Sequence, residues 1–397
     1  MKLIIIPFND FKKGEHEGFR VRDNRFMEFI IDSSDLFERI LIVDRPVSLL
    51  TTILRGTRWS AYSGEVVRSG PNWKLKRIKN NVFILDYIQF SLIAPLLQGR
   101  TWWNGIYRSK PFTDLVRSIQ KYLGMDEAEI LLHHPFGMNL VEKIPFRHLI
   151  FDVVDNFLKI EYFARISNEM RVEYDKILAN AQFISSVSED AKRNLFKNSD
   201  KVIVIPNGVT PKFFEVPLKH HNVKSLKRSK KTRIVYVGTL APQRIDVNLI
   251  RQIACSYQTG DFFLVGPMVN PSYFRPLRNL SNVFLERNVH YDYLPSILSD
   301  SDICMIPHKT SGYEMDGDLQ KFYEYIAAGK PVVSTRVLGV DRFSKHFAIV
   351  DNAVQFQYAL DNWKEKKFKV DYPKDLLSGR TWDDRVSQLL SLISELR

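Results

Sequence analysis

Short apolar runs alternate with helix-length segments along this chain of 397 residues, and no other feature constrains its fold as strongly. One series of runs occupies the first half, at residues 3–7, 39–43, 82–85, 130–133, 148–153, 183–186 and 202–205. A second series occupies the other half, at residues 233–238, 262–265, 283–285, 303–306, 332–334 and 348–350. Buried strands separated by helices are typical of parallel sheets with both faces covered. The pattern predicts an α/β protein with two such domains.

A strongly basic segment separates the two series. Residues 219–233 hold seven Lys or Arg and two His with little to bury, which is typical of a connection. We therefore expect a Rossmann-like N-terminal domain over 1–205, a linker region over 206–232 and a Rossmann-like C-terminal domain over 233–379. The last helix, over 380–397, is expected to pack back on the first domain. Open α/β sheets bind ligands at the carboxyl ends of their strands, so the site is expected there.

The net charge of +12 is concentrated in the N-terminal half. Residues 45–122 contain thirteen Lys or Arg and three acidic residues. The same segment has apolar and aromatic stretches at 48–59 and 93–103, the latter ending in Trp102 and Trp103. Such a mixture suits the headgroup layer of an anionic membrane. A solvated basic face over a core that contains both tryptophans fits the sequence equally well.

Several classes of protein are disfavoured by the sequence. No stretch approaches the ~20 apolar residues of a spanning helix, and the first apolar run is too short for a signal peptide. Cys255 and Cys304 match no metal-ligand or disulfide spacing, which favours free thiols in a reducing compartment. We expect a cytoplasmic protein, with peripheral binding to the inner face of the membrane as an open alternative.

Residues 316–335, DGDLQKFYEYIAAGKPVVST, are the segment most indicative of function. A loop leads into a short helix that places Lys321 and Glu324 on one face, and the helix ends at Gly-Lys-Pro before a buried strand. Unpaired N–H groups of the first turn and the Lys321 ammonium would bind an anion, while Glu324 would accept hydrogen bonds from hydroxyls. A nucleoside diphosphate meets both requirements. A surface ion pair between the two side chains is the alternative.

Other candidates follow strands of the second series. Gly238 permits a tight turn and close backbone approach, and Arg244 suits a diphosphate as a bidentate donor. The alternative for Arg244 is a structural pair with Asp246 or another neighbour. A second glycine turn follows at Gly266.

Taken together, these segments resemble those of GT-B glycosyltransferases. The resemblance is carried by KFYEYIAAGKPVVST at 321–335, VGTL at 237–240 with RID at 244–246, SVSE at 186–189 with IPNGV at 205–209, and GP at 266–267. It is nearest to bacterial cell-surface polysaccharide enzymes of the teichuronic acid type and more distant from the xanthan glucuronosyltransferase. It implies two Rossmann-like domains that face a central cleft, with the nucleotide-sugar donor in the C-terminal domain.

The resemblance implies specific roles on the donor side. Lys321 and Arg244 would bind the diphosphate near Gly238, and Glu324 would bind the ribose. Tyr313 and Asp316 would address the donor sugar. Retaining members commonly carry a glutamate where this chain has Asp316, so the sequence leaves inversion and retention both open.

An inverting enzyme needs a general base on the acceptor side. Asp155 is the first candidate and Asp152 the second, with a helix or loop N-cap as the alternative for each. The acceptor is expected to contact residues from two loops that follow strands: Arg20, Arg22, Asp23, His133 and His134. Because adjacent residues of an extended chain point to opposite sides, the two histidines are not expected to share a metal, and no metal or cofactor is predicted.

The predicted function is metal-independent transfer of a sugar from a nucleotide diphosphate to a hydroxyl of a glycan acceptor. The acceptor is expected to be linked to a lipid diphosphate at the membrane surface, as in cell-surface polysaccharide biosynthesis. Two alternatives stay open. One is a protein that binds or modifies nucleic acid, although no nucleic-acid module is recognised and no such partner is expected. The other is a non-catalytic subunit that binds nucleotide sugars.

Overall fold

The structure is a computed structural model that describes all residues except 56–57, 216–221, 288, 311–315, 374 and 397. The chain divides into two compact units. The first contains Met1–Pro206, Met315–Gly317 and Trp382–Arg397, and the second contains Asn207–Glu314 and Asp318–Thr381. Each unit is built on its own sheet.

The first unit contains, within the described residues, a sheet of ten strands in the order β10-β9-β8-β7-β1-β2-β6-β5-β4, with β3 paired to β6. The strands are β1 Lys2–Ile6, β2 Arg39–Val43, β3 Val47–Ser48, β4 Glu65–Gly70, β5 Trp73–Lys79, β6 Val82–Gln89, β7 Glu129–Leu132, β8 Leu149–Val153, β9 Phe183–Ser186 and β10 Val202–Val204. Neighbouring strands from β10 to β6 are parallel. Every strand predicted in this half of the chain is therefore present.

The sequence did not predict β3, β4 and β5. Strand β5 pairs antiparallel with both β6 and β4, forming a meander at one end of the sheet. Their connections are short, with Asn80 and Asn81 between β5 and β6, and Asn-rich two-residue turns are typical of hairpins. The high density of Lys and Arg in β4 and β5 obscured this signal, because these strands expose much of their surface to solvent.

Helices cover both faces of this sheet. They are α1 Phe11–Glu17, α2 Arg22–Asp32, α3 Leu49–Arg55, α4 Ile93–Gln98, α5 Asn104–Arg108, α6 Lys110–Leu123, α7 Met138–Val141, α8 Ser167–Asn180 and α9 Glu189–Phe196, with 3₁₀ turns at Ser34–Leu36, Gly99–Thr101, Pro135–Gly137, Phe157–Lys159 and Glu161–Ile166. Side chains alternate along β1: Ile4 and Ile6 enter one apolar cluster, whereas Leu3 and Ile5 enter the other. Two helical layers are needed to bury both clusters.

Trp102 and Trp103 belong to this core. Both side chains are buried, and the Trp103 ring packs edge-on against Tyr107 and Phe136. Of the two alternatives for this segment, burial in the core is the one that holds for the tryptophans. The apolar residues that precede them are a separate case, because several are exposed.

The second unit has a six-stranded parallel sheet in the order β13-β12-β11-β14-β15-β16, counted over the described residues. Its strands are β11 Thr232–Val237, β12 Gly260–Val265, β13 Val283–Glu286, β14 Ile303–Ile306, β15 Val332–Thr335 and β16 Ala348–Val350. Its helices are α10 Lys224–Arg228, α11 Val247–Ser256, α12 Arg275–Arg278, α13 Leu294–Ser299, α14 Gln320–Ala327 and α15 Ala353–Glu365, with 3₁₀ turns at Pro211–Phe213, Tyr291–Tyr293 and Val340–Phe343. Alternating residues of β11 again enter two clusters, one on each face. The prediction of two α/β sheets is confirmed.

The described residues of the expected linker, 206–232, are largely part of the second unit. From Asn207 onward they are grouped with it, and Val209, Phe213, Val223 and Leu226 are buried in one of its apolar clusters. The high density of basic residues in this segment indicated a solvated connection, although the segment also contains these four spaced apolar positions.

The C-terminal helix α16, Trp382–Ser394, belongs to the first unit. Trp382 packs edge-on against Phe26 of α2, and Leu389 and Ile393 join the same cluster. Across the described part of the chain, no helix combines the length and the apolar character needed to cross a bilayer.

Candidate functional site

Helix α14 is anchored at the carboxyl end of β11 in the second unit. The Tyr325 hydroxyl accepts a hydrogen bond from the Val237 backbone N–H at 3.0 Å. One turn earlier on the helix is Lys321, whose side chain is 8% exposed. The N-cap residue Leu319 makes no side-chain hydrogen bond to the first turn of α14, and the helix dipole favours an anion at this end.

The Lys321 ammonium lies directly beside Gly238. A Cβ placed on Gly238 would stand 2.7 Å from Lys321 Nζ and 2.6 Å from its Cε, so only glycine leaves room for this side chain. The backbone of Gly238 has φ +138°, a region that side chains rarely adopt. Nζ also lies 5.3 Å from the centroid of the Tyr236 ring, which stabilises its charge. The sequence predicted a tight turn at Gly238 but not its direct contact with Lys321.

A second glycine, Gly266, makes the Gly238 turn possible. It follows β12 with φ +141°, and a Cβ there would stand 2.1 Å from the Gly238 carbonyl oxygen. The Gly238 N–H in turn donates to the Val265 carbonyl at 2.9 Å. The two strand ends are therefore close-packed backbone, which keeps bulky side chains away from the Lys321 ammonium.

Two further titratable side chains, His308 and Arg244, affect the electrostatics of this site. His308 follows β14, is buried, and lies with Nε2 3.2 Å from the Tyr236 hydroxyl. Burial, with the positive charges of Lys321 and Arg244, holds the pKa of His308 well below its usual value. The imidazole is therefore neutral near pH 7. Lys321 and Arg244 therefore both place positive charge near this ring.

Arg244 does not form the structural pair with Asp246 that was the alternative. The Asp246 carboxylate instead caps helix α11 by accepting the Leu249 N–H at 2.9 Å. Among the described residues, no ion pair of the Arg244 guanidinium is found, and its side chain is partly exposed. It can therefore turn toward a ligand at modest cost.

Glu324 lies one turn beyond Lys321 and is also buried. Its Oε1 accepts hydrogen bonds from the Tyr291 hydroxyl and from Gln320 Nε2, both at 2.7 Å. These donors fix the carboxylate, which holds four lone-pair positions and therefore has capacity for further donors. The alternative of a solvent-exposed ion pair on a helix surface does not fit two buried side chains.

Sequence reasoning missed Asp318, which orders the loop in front of α14. Its carboxylate accepts from the Tyr323 hydroxyl at 2.8 Å, from Arg342 at 2.7 Å and from the Asn207 N–H at 3.1 Å. Because all of these contacts lie within the second unit, Asp318 fixes where the first turn of α14 begins. Asn207 lies within the IPNGV segment that carries the GT-B resemblance, but nothing in that segment indicates Asp318 as its partner.

Asp316 has a different environment from the one expected. It is grouped with the first unit, where its carboxylate accepts from Asn156 at 2.7 Å, from Asn194 at 2.8 Å and from Lys159 at 2.6 Å. Burial alone would raise the pKa of Asp316, but these three hydrogen bonds lower it overall. Its φ of +50° is tolerated by aspartate better than by most residues. Tyr313, the other residue expected at the donor sugar, lies outside the described residues.

Asp155, the first candidate for a general base, is partly exposed and lies beside Gly317. A Cβ on Gly317 would stand 2.9 Å from Asp155 Oδ1. Asp155 therefore lies beside the residue that follows Asp316, although the two aspartates are 161 positions apart in sequence.

Asp152, the second candidate base, is committed to a buried ion network. It accepts from Arg22 Nε at 3.0 Å and Nη2 at 2.6 Å, and its Oδ2 lies 3.1 Å from His133 Nδ1. Arg22 also donates to Ser185 Oγ. Although burial acts in the opposite direction, Arg22 and the His133 hydrogen bond hold the pKa of Asp152 well below its usual range. All four side chains are buried, so the network is an internal structural contact of the first unit.

The remaining acceptor candidates also have internal contacts. Asp23 is fully buried and accepts from the Asn9 N–H at 2.6 Å, and His134 accepts from the Gly137 N–H at 3.1 Å. Burial, with His133 and Arg45, lowers the pKa of His134 well below its usual value. Arg20 is more exposed and pairs with Glu17 at 2.8 Å. The role of these residues toward an acceptor stays a prediction.

A buried charged cluster at the ends of β1, β2 and β6 was also missed. Lys12 Nζ donates to Asp44 at 2.6 Å, and Asp86 accepts the Ala61 N–H at 3.1 Å. Burial and the charge of Asp44 raise the pKa of Asp86 to about 7, although Lys12 acts against this. The pKa of Lys12 is raised to about 12, because Asp44 and Asp10 outweigh the effect of its burial. Asp10 and Lys12 are far in sequence from Asp44 and Asp86, so no sequence motif identifies this cluster.

No group of three or more His, Cys, Asp or Glu side chains in the described ranges is arranged to hold a metal ion. The two histidines at 133 and 134 illustrate why spacing matters. His133 faces Phe26 and Asp152, whereas His134 faces Trp103 and Tyr107 on the other side of the sheet.

Comparison with known proteins gives one relative by sequence. TuaH of Bacillus subtilis (strain 168), whose name describes a teichuronic acid biosynthesis glycosyltransferase, is 24% identical over 185 residues. This match covers 46% of the present chain and 46% of TuaH, so it spans about half the length of that relative. No protein-family model matches the chain.

Similarity to solved structures extends over the whole chain. Sucrose-phosphate synthase from Thermosynechococcus elongatus superposes with a TM-score of 0.69 at 13% identity, covering 100% of this chain and 99% of that one. HepE from Anabaena, solved with UDP, gives 0.65 at 14% identity with 100% coverage of both chains. Trehalose-6-phosphate synthase OtsA gives 0.64 at 14% identity with 99% coverage of both. The fold is GT-B. The GT-B resemblance predicted from the sequence is confirmed at the level of architecture.

The candidate residues around α14 lie at one edge of the sheet in the second unit. Gly238, Arg244 and Lys321 bring two positive charges and a glycine turn to the carboxyl ends of the strands in the second unit. Open α/β sheets bind ligands at this edge. Glu324 adds a fixed carboxylate one helical turn away.

Proposed function

We propose that this protein is a glycosyltransferase that moves a sugar from a nucleotide diphosphate onto a hydroxyl of a glycan acceptor. The observation that carries the proposal is the buried Lys321 ammonium, held against Gly238 at the first turn of α14. A buried cation beside a helix N-terminus and a glycine turn is suited to a diphosphate. The GT-B fold and the partial match to TuaH support the same activity.

The diphosphate and the ribose of the donor would bind within the second unit. Lys321 and Arg244 would bind the diphosphate, whose charge grows as the sugar leaves, so their contribution increases toward the transition state. These two cations can neutralise that charge without a metal ion. Glu324, fixed by Tyr291 and Gln320, would accept hydrogen bonds from the ribose hydroxyls. The solved HepE complexes contain UDP and UDP-glucose, which makes UDP the first nucleotide to test.

In the reaction, the acceptor hydroxyl oxygen forms a bond to the anomeric carbon of the donor sugar. The bond between that carbon and the diphosphate oxygen breaks, and the nucleoside diphosphate leaves with the electron pair. If the anomeric configuration inverts, Asp155 is the proposed group that takes the hydroxyl proton. Asp316, whose lowered pKa keeps it ionised, would contribute negative charge nearby and support a cationic sugar.

We propose further that the acceptor is a glycan linked to a lipid diphosphate, within cell-surface polysaccharide biosynthesis on the cytoplasmic side of a membrane. The name of TuaH supports this pathway class. The basic segment at 45–122 supports an acceptor that carries phosphate. No further cofactor is required by this chemistry.

The first test is a thermal-shift panel with UDP, GDP, dTDP, ADP and CMP, each with and without magnesium. A ligand that binds the folded state alone raises the apparent melting temperature, so a selective shift identifies the nucleotide. The matching nucleotide sugars are then assayed for hydrolysis and for transfer to membrane extracts. An unchanged shift after metal chelation would support metal-independent binding.

The matched variants are Lys321→Ala and Lys309→Ala. Both lysines lie near a tyrosine ring in the second unit, but Lys309 contacts Tyr273 rather than the Gly238 turn. We expect Lys321→Ala to lose roughly 100-fold in transfer rate while remaining folded, and Lys309→Ala to stay near wild type. Equal activity of Lys321→Ala and wild type would refute the donor site. A nucleotide shift without any transfer would favour a non-catalytic binding subunit.

A further inference from the structure

Two short helices of the first unit expose large aliphatic side chains to solvent. Ile53 and Leu54 of α3, and Ile93, Leu96 and Leu97 of α4, are each between 67% and 80% exposed. None of the α4 residues is buried, and Ala94 is the residue by which this helix packs against the core. We call the five exposed side chains the apolar edge. An apolar cluster of this kind marks a binding surface more often than isolated exposed residues do.

The sheet register brings the two helices to the same edge. Strand β3 pairs with the end of β6, with Ser48 opposite Gln89, and α3 begins at the next residue. Helix α4 begins at Ile93, four residues after Gln89. Both helices therefore leave the sheet at the carboxyl ends of neighbouring strands.

Basic residues follow both helices in the sequence: Arg58 after α3, and Arg108 and Lys110 after α4. Helix α6 connects β6 to β7, so its first turn lies at the carboxyl edge where β6 ends. A cavity of about 260 Å³ at this turn is lined by four cations, one carboxylate and one hydroxyl: Arg108, Lys110, Arg117, Lys143, Asp114 and Thr113. Arg108 pairs with Glu169 at 2.9 Å. The cavity still carries an excess of positive charge, because three further cations line it against one carboxylate.

These features favour an anionic membrane over a second copy of the chain. Two copies that met through this edge would bring two positive surfaces together, which costs energy. A bilayer with anionic headgroups offers negative charge next to an apolar layer, and so matches cations that flank exposed Leu and Ile. The exposed Ile and Leu side chains of these short helices remain in contact with water, and insertion into the acyl boundary would remove that apolar surface from water.

We propose that the apolar edge inserts into the interfacial layer of an anionic membrane, with the basic cavity of α6 facing lipid phosphates. This surface belongs to the first unit and involves none of the donor-site residues. It therefore goes beyond the transfer reaction and specifies how the protein would reach a lipid-linked acceptor.

The experiment is flotation of the full chain with vesicles of phosphatidylcholine, alone or with about 30% phosphatidylglycerol, at about 0.1 M salt and again at high salt. No nucleotide sugar is present, so the result is independent of the transfer activity. The test variant is L96E/L97E. Its matched control is V354E/Y358E, because these side chains of α15 are as exposed as the test pair but lie in the second unit.

We expect wild type and V354E/Y358E to float with the anionic vesicles, and L96E/L97E to bind at least ~10-fold more weakly. High salt should weaken binding of the wild type. The proposal is overturned if wild type fails to float with anionic vesicles, or if both double variants bind as wild type does. A monomer–dimer equilibrium that L96E/L97E abolishes, without vesicle binding by wild type, would assign the edge to a second copy instead.

Discussion

Lys321 Nζ occupies space that glycine alone leaves open at position 238: a Cβ there would stand 2.7 Å from it. Lys321 comes from the helix and Gly238 from the strand end, so the two parts of the candidate diphosphate site fit only when both residues are present. Gly266 extends this dependence to a second strand end, that of β12.

Gly238→Ala should therefore displace the Lys321 ammonium. We expect at least ~10-fold weaker nucleotide diphosphate binding and about 1–3 kcal/mol lower free energy of unfolding, because φ +138° also strains an alanine. Gly379→Ala is the control, since its φ is +62° but no atom lies within 4 Å of an added Cβ. Calorimetric titration and urea unfolding measure the two effects. Equal nucleotide affinity in Gly238→Ala and Gly379→Ala would contradict the contact.

Asp152→Ala should destabilise the first unit rather than alter acceptor affinity alone. It leaves the buried Arg22 guanidinium without its carboxylate, a change that costs about 3–5 kcal/mol. Asp341→Ala removes an exposed partner of Arg336, for which less than ~1 kcal/mol is expected. Urea unfolding of both variants tests this. An undiminished free energy of unfolding in Asp152→Ala would reopen its assignment as a catalytic base.

His308 should make the free energy of unfolding sensitive to acid. Its folded pKa is lowered well below 6.5, so its contribution is present above pH 6.5 and is lost as the pH falls below that value. The slope contributed by one such histidine is about 1.4 kcal/mol per pH unit. Unfolding between pH 7.5 and 5 should show a shallower slope in His308→Gln than in wild type. Identical slopes would mean that His308 is not buried as a neutral ring.

Asp86 should have the opposite dependence on pH. Its pKa rises from 3.8 to about 7 on folding, so its contribution is complete below pH 3.8 and is lost as the pH rises through 7. Asp86→Asn removes this titration and should gain stability relative to wild type at pH 8, by up to ~4 kcal/mol. Because the trends of Asp86 and His308 oppose each other, wild type alone does not separate them. A variant that gains nothing at pH 8 would refute the raised pKa.

Most of the parallel strands were predictable because they are continuous apolar runs, whereas β3 has only two residues and was missed. Lys321 and Glu324 were also predictable, because one short helix and its loop bring them together. The antiparallel strands β4 and β5 were not predicted, since their exposed basic residues mask the alternation. Local sequence thus identified elements whose burial is nearly complete.

Contacts that depend on distant positions could not be read from the sequence. Asp318 gains its role from Asn207 and Arg342, and Asp152 gains its role from Arg22. Nothing in the composition of these segments says that the partners meet. Arg22 and His133 were assigned to an acceptor because they follow strands, yet burial gives them structural contacts as well.

The hydrogen bond from the Val237 N–H to the Tyr325 hydroxyl has a practical consequence for altering donor preference. Tyr325→Phe would leave a buried N–H unsatisfied and loosen the helix that carries Lys321 and Glu324. Mutagenesis libraries aimed at a new nucleotide should therefore keep this tyrosine fixed. The positions to randomise are Tyr291 and Gln320, which hold the Glu324 carboxylate but do not anchor the helix to the sheet.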